Sequence, residues 1–253
     1  MAKMIILYDD IFLDKSSFSA TSEASGYEKE YLEDPNPANL WRSTVITESI
    51  IKVDMGAAVE IEGACMINHN LVAGDTTIKF EADAADFAGA ADETDDFTLK
   101  TFDVKGTTKR NAFVMGNWTY RYYQWRLQKA AGTYIEFANP FLFAKKYEFV
   151  KSEKMDYFKG REKISIRNLT KGGQIIKSRK YSRLVYNFEC YAISTAQKDA
   201  LEAIGEYDHV CILPENIAGT EFHFGTIEFS VPQRIEYKSE LWQMSGNFIE
   251  SAF

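Results

Sequence analysis

The sequence predicts a mainly β protein: a sandwich in its first part, then a second β-unit carrying one short helix. Three observations predict this class. Aromatic residues make up 14% of the 253 residues, with 18 Phe and 14 Tyr against only 5 Pro, and aromatic side chains suit the pleated, half-buried surface of a sheet. Between Ile50 and Phe80 short apolar runs are separated by turn residues about every 8 to 12 positions, the spacing of a sandwich. In Tyr122-Tyr123-Gln124-Trp125-Arg126-Leu127, the side chains of Tyr123, Trp125 and Leu127 share one face and those of Tyr122, Gln124 and Arg126 the other. That alternation describes a strand with one face in a core.

In chain order, strands are expected at Ile50 to Val53, at Val59 to Ile61 and at Ala64 to Ile67, with turns at Asp54-Met55-Gly56 and Asn68-His69-Asn70. A further strand, Thr76 to Phe80, follows Gly74-Asp75. Residues 81–96, rich in Ala, Asp, Glu and Gly, are expected to be a surface loop. Strands resume at Phe97 to Val104, Ala112 to Met115, Tyr120 to Leu127 and Tyr134 to Phe143, with turns at Gly116-Asn117 and Ala131-Gly132. The polar stretch from Lys145-Lys146 to Arg161 is expected to connect two bodies. Leu184 to Tyr191 alternates as a strand. Ser194 and Gln197 then form a capping box that opens a helix over Thr195 to Ile204, with Gly205 as a left-handed stop. Strands at His209 to Leu213, Glu221 to Val231, Gln233 to Tyr237 and Leu241 to Glu250 complete the pattern.

The chain's length suits two bodies of roughly 100 to 150 residues each, and we place the boundary between residues 1–145 and 146–253. Charge divides at the same point. Residues 1–145 hold 14 Lys and Arg against 22 Asp and Glu, whereas the rest holds 15 against 15. An acidic surface repels phosphate backbones, so nucleic acid is not an expected partner. The basic cluster Lys171, Lys177, Arg179, Lys180 and Arg183 is offset by neighbouring acids and reads as a solvated loop or subunit contact. The apolar stretches Ala138 to Ala144 and Val210 to Leu213 fall far short of the roughly 20 residues a helix needs to cross a bilayer, so no membrane span is expected. Met1 to Leu13 has no small-residue cleavage site of a secretory leader. Cys65, Cys190 and Cys211 are odd in number and lack CxxC spacing, which points to buried thiols in a reducing cytoplasm.

Sequence motifs for chemistry are absent. There is no phosphate-binding loop, no G-x-G-x-x-G and no G-x-S-x-G. The three histidines, His69, His209 and His223, have no zinc spacing. His209 and Cys211 fall on one face of a strand, which fits buried packing better than a nucleophile pair. The acid pairs Asp9/Asp10 and Asp95/Asp96 read as solvated tips in preference to calcium ligands. No catalytic residue, metal site or cofactor is expected, and the chain is not expected to be an enzyme. The one constellation with a binding character is Trp41, Arg42, His69 and Asn70, because sugar sites combine an aromatic platform with side chains that form several hydrogen bonds. The competing reading has Trp41 plugging the end of the sandwich and His69-Asn70 shaping a turn.

The runs Asp34-Pro35-Asn36-Pro37-Ala38-Asn39-Leu40-Trp41-Arg42-Ser43, Ile51-Lys52-Val53-Asp54-Met55-Gly56 and Ile67-Asn68-His69-Asn70-Leu71 resemble the start of the discoidin-like (galactose-binding-like) jelly rolls of tailed-bacteriophage tail proteins. Residues 146–253 are similar in outline to the ring-forming β-domain of distal tail and tail-tip hub proteins. The similar pieces are Tyr181-Ser182-Arg183 before a strand, the helix after Ser194, Phe224-Gly225-Thr226-Ile227, and Trp242 to Glu250. The resemblance implies a structural virion component at the tail tip, made in the host bacterial cytoplasm. It would assemble as a homo-oligomer ring against tail tube, hub and fibres and serve host attachment. The alternative it leaves open is a carbohydrate-binding adhesin that holds host cell-surface glycan through Trp41, Arg42, His69 and Asn70.

Overall fold

A computed structural model describes residues 4–34, 39–72, 77–104, 107–149, 154–169, 175–213, 222–235 and 240–250. Its strands in the first part are β1 (Ile5–Asp10), β2 (Ser17–Ala20), β3 (Trp41–Arg42), β4 (Ser49–Met66), β5 (Thr77–Asp83), β6 (Glu93–Asp96), β7 (Thr98–Val104), β8 (Thr107–Gln128), β9 (Glu136–Phe137) and β10 (Pro140–Glu148). The second part holds β11 (Lys154–Leu169), β12 (Ile175–Ile193), helix α1 (Thr195–Ile204), β13 (Val210–Leu213), β14 (His223–Phe229), β15 (Gln233–Arg234) and β16 (Trp242–Glu250). The chain is thus mainly β, a sandwich followed by a β-unit with one short helix. Among the described residues no helix is long and apolar enough to cross a membrane.

Two long strands build the sandwich. The first segment of β4, Ser49 to Asp54, pairs with Tyr122 to Leu127 of β8 and, on its other side, with β2. Its last segment, Gly63 to Met66, pairs with Ala112 to Met115 of β8 and with β10. Between these segments the register shifts twice, between Asp54 and Val59 and between Ile61 and Gly63. Such irregularities bend a strand and let it pass from one layer to another. Ile51 and Val53 from one segment and Ile61, Ala64 and Met66 from the other therefore meet in one buried cluster, with Trp41, Trp118, Trp125, Tyr123, Phe80 and Phe137. The expected turns at Asp54-Met55-Gly56 and Gly116-Asn117 are these irregularities, not hairpins. Gly56 sits at φ 78°, a left-handed conformation that glycine adopts without a Cβ clash.

Other expectations shift in the same way. The expected loop 81–96 begins as the end of β5 and finishes as β6; Phe80 and Ala82 of β5 face the core although acids alternate with them. Tyr134 to Phe143 is two strands, β9 and β10, not one. The stretch expected to connect two bodies is mostly strand, since residues 145–148 lie in β10 and 154–161 in β11. The turn expected at Gly74-Asp75 lies outside the described residues. The helix is the clearest agreement: the Gln197 N–H donates to Ser194 Oγ at 3.3 Å, and the Ser194 N–H donates to Gln197 Oε1 at 2.7 Å. Its stop differs, because Gly205 has φ −64° and ψ −15°, a right-handed end.

Strand β1 joins the two parts. It pairs antiparallel with β10 on one side and with β13 on the other. Its alternate residues enter different clusters, Ile6, with Met4 just before the strand, joining the helix-side core with Phe188, Leu201, Ile204 and Phe248. Ile5 and Leu7 join a third cluster with Cys65, Phe141, Phe143, Cys211 and Phe224, drawn from both parts of the chain. On the far side, β11 and β12 form a long hairpin at one end of the sheet. Among the described residues only Val185 to Ile193 of β12 pair onward with β16, and the remainder of the hairpin continues beyond that pairing as a two-stranded ribbon.

Close approach constrains the second unit at Gly225. A Cβ there would run into the Ile249 carbonyl of β16 and lie 2.8 Å from the Phe248 ring. Gly225→Ala is expected to part the β14–β16 ladder and cost about 1–3 kcal/mol or more. A lower urea midpoint with unchanged slope would show it; an unchanged midpoint would mean that the ladder yields without cost.

Candidate ligand-binding site at the end of the sandwich

Strands β3 and β9 form a separate two-stranded sheet in which Trp41 pairs with Phe137 and Arg42 with Glu136. Period-two alternation sends neighbouring side chains to opposite faces. Trp41 turns inward, fully buried, with its ring edge-on to Phe137 at 5.4 Å. Arg42 turns outward and donates from Nε and Nη2 to Glu136 Oε2 at 3.2 and 2.8 Å. Its guanidinium carbon lies 3.8 Å from the Tyr27 ring centre and 4.0 Å from that of Tyr134, between two aromatic rings.

Local backbone bonds bring these rings together. The segment before β3 docks on its edge, with the Ala24 N–H donating to the Arg42 carbonyl at 2.8 Å and the Arg42 N–H to the Tyr27 carbonyl at 3.2 Å. On the other side, Asn70 fixes the approach to β9. Its Nδ2 donates to the Tyr134 carbonyl at 3.2 Å, its Oδ1 accepts the Glu136 N–H at 3.1 Å, and Lys129 Nζ donates to its carbonyl at 3.2 Å. His69 is buried and its Nδ1 accepts the Leu71 N–H at 3.1 Å.

The structure therefore brings Arg42 and Asn70 into one network through Glu136, and it gives the four sequence-selected residues different tasks. Trp41 offers no surface to a ligand, which corrects its reading as an aromatic platform; it plugs the sandwich. His69 shapes the turn, and both polar ends of the Asn70 side chain are spent on the 134–136 segment. Only Arg42 keeps an outward character, its side chain 24% exposed beside a Glu136 side chain at 20%. Burial works to lower the proton affinity of Arg42, but the Glu136 hydrogen bond and charge, together with the two tyrosines, outweigh it and push its pKa up. Tyr27, Tyr134 and Glu136 were not singled out by sequence. They are brought together across long separations, and the only local hint was that an outward Arg beside a core Trp needs a carboxylate partner.

What this end can do is bind. Two half-exposed tyrosine rings flanking a cation give flat, rigid apolar faces with hydroxyls at their tips. Of the five N–H groups of a guanidinium, two are spent on Glu136. Elsewhere, a cleft of about 500 Å³ lies beside β12, β15 and β16, lined by Tyr191, Val231, Gln233, Gln243 and Met244. A chain of hydrogen bonds runs from Tyr186 Oη to His223 Nε2 at 3.0 Å and from His223 Nδ1 to Glu250 Oε1 at 2.8 Å. Tyr186 is fully buried, and this chain of bonds links β12, β14 and β16. The acid pairs also have protein partners. Asp9 pairs with Lys145 at 2.7 Å, Asp10 accepts two backbone N–H groups, and Asp95 accepts the Trp118 indole N–H at 2.9 Å.

No protein-family model matches the chain, and no curated protein matches it in sequence. Solved structures do show similarity. A chitosan-binding module of a chitosanase/glucanase from Paenibacillus sp. IK-5 is 14% identical, covering 54% of this chain and 99% of that one with a TM-score of 0.39. The lectin domain of lectinolysin in complex with Lewis B antigen is 14% identical, covering 53% and 96% with a TM-score of 0.37. A CBM32 module of a family 31 glycoside hydrolase from Clostridium perfringens is 12% identical, covering 51% and 95% with a TM-score of 0.35.

Proposed function

We propose that the chain is a non-enzymatic carbohydrate-binding protein that holds a glycan at the end of its sandwich. The observation that supports this reading is the Tyr27–Arg42–Tyr134 stack, with ring-to-cation distances of 3.8 and 4.0 Å and Glu136 hydrogen-bonded to the cation. The C–H face of a pyranose packs on an aromatic ring, while hydroxyls at its rim take hydrogen bonds from guanidinium and phenol and give them to carboxylate. The fixed partners of Arg42 reduce the side-chain freedom lost on binding.

A glycan array followed by titration tests the reading. Tyr134→Ala and Tyr27→Ala are each expected to weaken binding of the selected glycan about tenfold or more while the unfolding midpoint moves little. A chain that binds no glycan, or one whose binding ignores both substitutions, would remove the proposal.

A second reading, a structural component of a phage tail tip assembled as a ring, is favoured by a different observation. Among the described residues β11, 16 residues long, ends the sheet with one edge unpaired, and the ribbon it forms with β12 continues beyond the pairing with β16. Open edges and two-stranded ribbons are stabilised by pairing with another chain. Mass photometry of the purified protein and its position in purified tails test it; a strict monomer absent from virions rejects it.

A further inference from the structure

The cleft of about 500 Å³ beside β12, β15 and β16 has the size of a small-molecule site, and strand register assembles its lining. Gln243 of β16 lies opposite Tyr191 of β12 on one side and Gln233 of β15 on the other, a row of one aromatic ring and two amides. Period-two alternation puts Glu189 and Ser245, themselves register partners, on the same face one row along. Ser230 closes that second row: its N–H donates to the Ser245 carbonyl at 2.8 Å, and its Oγ accepts the Ser245 N–H at 2.9 Å. All six residues are exposed. Phe188, Cys190 and Met244, which alternate with them along β12 and β16, belong to the helix-side core.

The backbone is bent to present this tyrosine. Residues two apart in a regular strand share a face, so Tyr191 and Ile193 would point the same way. Yet Tyr191 is 45% exposed and Ile193 is 0% exposed. A register shift between them accommodates Ala192 at φ 59°, a left-handed conformation that a residue with a Cβ adopts only at a cost in energy. The bulge sends Ile193 into the core and leaves Tyr191 outside. Val231, also in the lining, adds an apolar surface that is 83% exposed.

We propose that this cleft is a second saccharide-binding site, carried by the second unit and distinct from the Tyr27–Arg42–Tyr134 stack. The Tyr191 ring offers a flat face to the C–H groups of a pyranose. Glutamine and serine side chains both donate and accept and a carboxylate accepts, a mixture that suits a ring of hydroxyls, each of them donor and acceptor at once. Among the described residues no lysine or arginine lines the cleft and its one charged side chain is Glu189, so a phosphate or carboxylate ligand would meet repulsion without a counter-charge. A peptide strand would find no ladder to extend, because both edges of β16 are already paired at Gln243. The paired hydrogen bonds between Ser230 and Ser245 hold one wall in place before any ligand arrives, which lowers the cost of ordering it. The inference stands on this cleft alone and does not require a glycan at the end of the sandwich.

The test is saturation-transfer NMR on the full chain with glucose, galactose, N-acetylglucosamine, lactose and cellobiose as probes, run on the wild type and on Tyr134→Ala. Because Tyr134→Ala removes a ring of the sandwich-end stack, the two proposals fail separately. At least one probe is expected to receive saturation in both proteins, with a Kd of about 1 mM or tighter and the strongest transfer to the C–H protons of one sugar face. Adding Tyr191→Ala is expected to weaken that binding about tenfold or more. Gln243→Leu, which keeps the bulk of the side chain and removes its amide, should act in the same direction. Tm should move little in either variant, since both side chains are exposed; if Tyr191→Ala fails to fold, Gln243→Leu decides. Inorganic phosphate is expected not to compete. No transfer in Tyr134→Ala, binding that ignores the deciding substitution, or displacement by phosphate would overturn the proposal.

Discussion

Replacing Trp41 with alanine is expected to cost about 3–5 kcal/mol of folding stability, the range for deleting a large buried aromatic. The indole is fully buried and packs edge-on against Phe137. Its strand is only two residues long, so the ring is much of what holds β3 against β9. The resulting cavity would also release Arg42, and glycan binding should fall with stability. Trp41→Phe is expected to cost less, because it keeps most of the ring and removes an indole N–H that has no hydrogen-bond partner among the described residues. Urea unfolding of both variants beside Tyr134→Ala separates core from site. If Trp41→Ala unfolds at the wild-type midpoint yet loses glycan, the indole is a binding platform after all.

A comparable effect is expected from pH, through Asp10. This carboxyl accepts the Phe12 and Leu142 N–H groups on one oxygen, at 3.1 and 3.0 Å. Burial nevertheless outweighs those bonds and raises its pKa from 3.8 to about 6. Between pH of about 4 and 6 the folded chain keeps a proton that the unfolded chain has released, so stability falls as pH rises through that window and is flat on either side of it. The loss amounts to about 3 kcal/mol above pH 6, taking 1.36 kcal/mol per pKa unit. Asp10→Asn retains the accepting oxygen without the charge, so it should remove that slope and be the more stable protein at neutral pH. Asp54 works in the opposite sense. Its hydrogen bonds with Arg121 lower its pKa to about 2, so its contribution is lost as pH falls from about 4 toward 2. Equal slopes for wild type and Asp10→Asn between pH 4 and 6 would contradict the assignment.

Local rules made part of this molecule legible. The capping box at Ser194, the alternation in Tyr122 to Leu127 and the apolar strand at Val210 each carry their signal within a few residues, and the structure places them as read. What the sequence concealed depends on distant partners. The register shifts that turn Gly56 and Gly116-Asn117 into bends within long strands exist only because β4 and β8 face each other. β11 reads as a polar linker because its pairing with β12 supplies order that its own composition does not advertise. At the site, Arg42 could be picked out, whereas Tyr27 and Tyr134 could not, since no short-range pattern announces two rings meeting on one cation. Trp41 misled for a related reason: an aromatic next to an arginine looks the same in one dimension whether its strand turns it inward or outward.

Strand β1 has an implication for how the protein is made. Those six residues leave the ribosome well before β10 and β13, which complete their hydrogen bonding. The nascent polypeptide must therefore carry an apolar segment, Ile5-Ile6-Leu7, with neither neighbour in place until those strands have been made. Closing that seam is a long-range event and slow on topological grounds, which makes the half-made chain a natural client for chaperones.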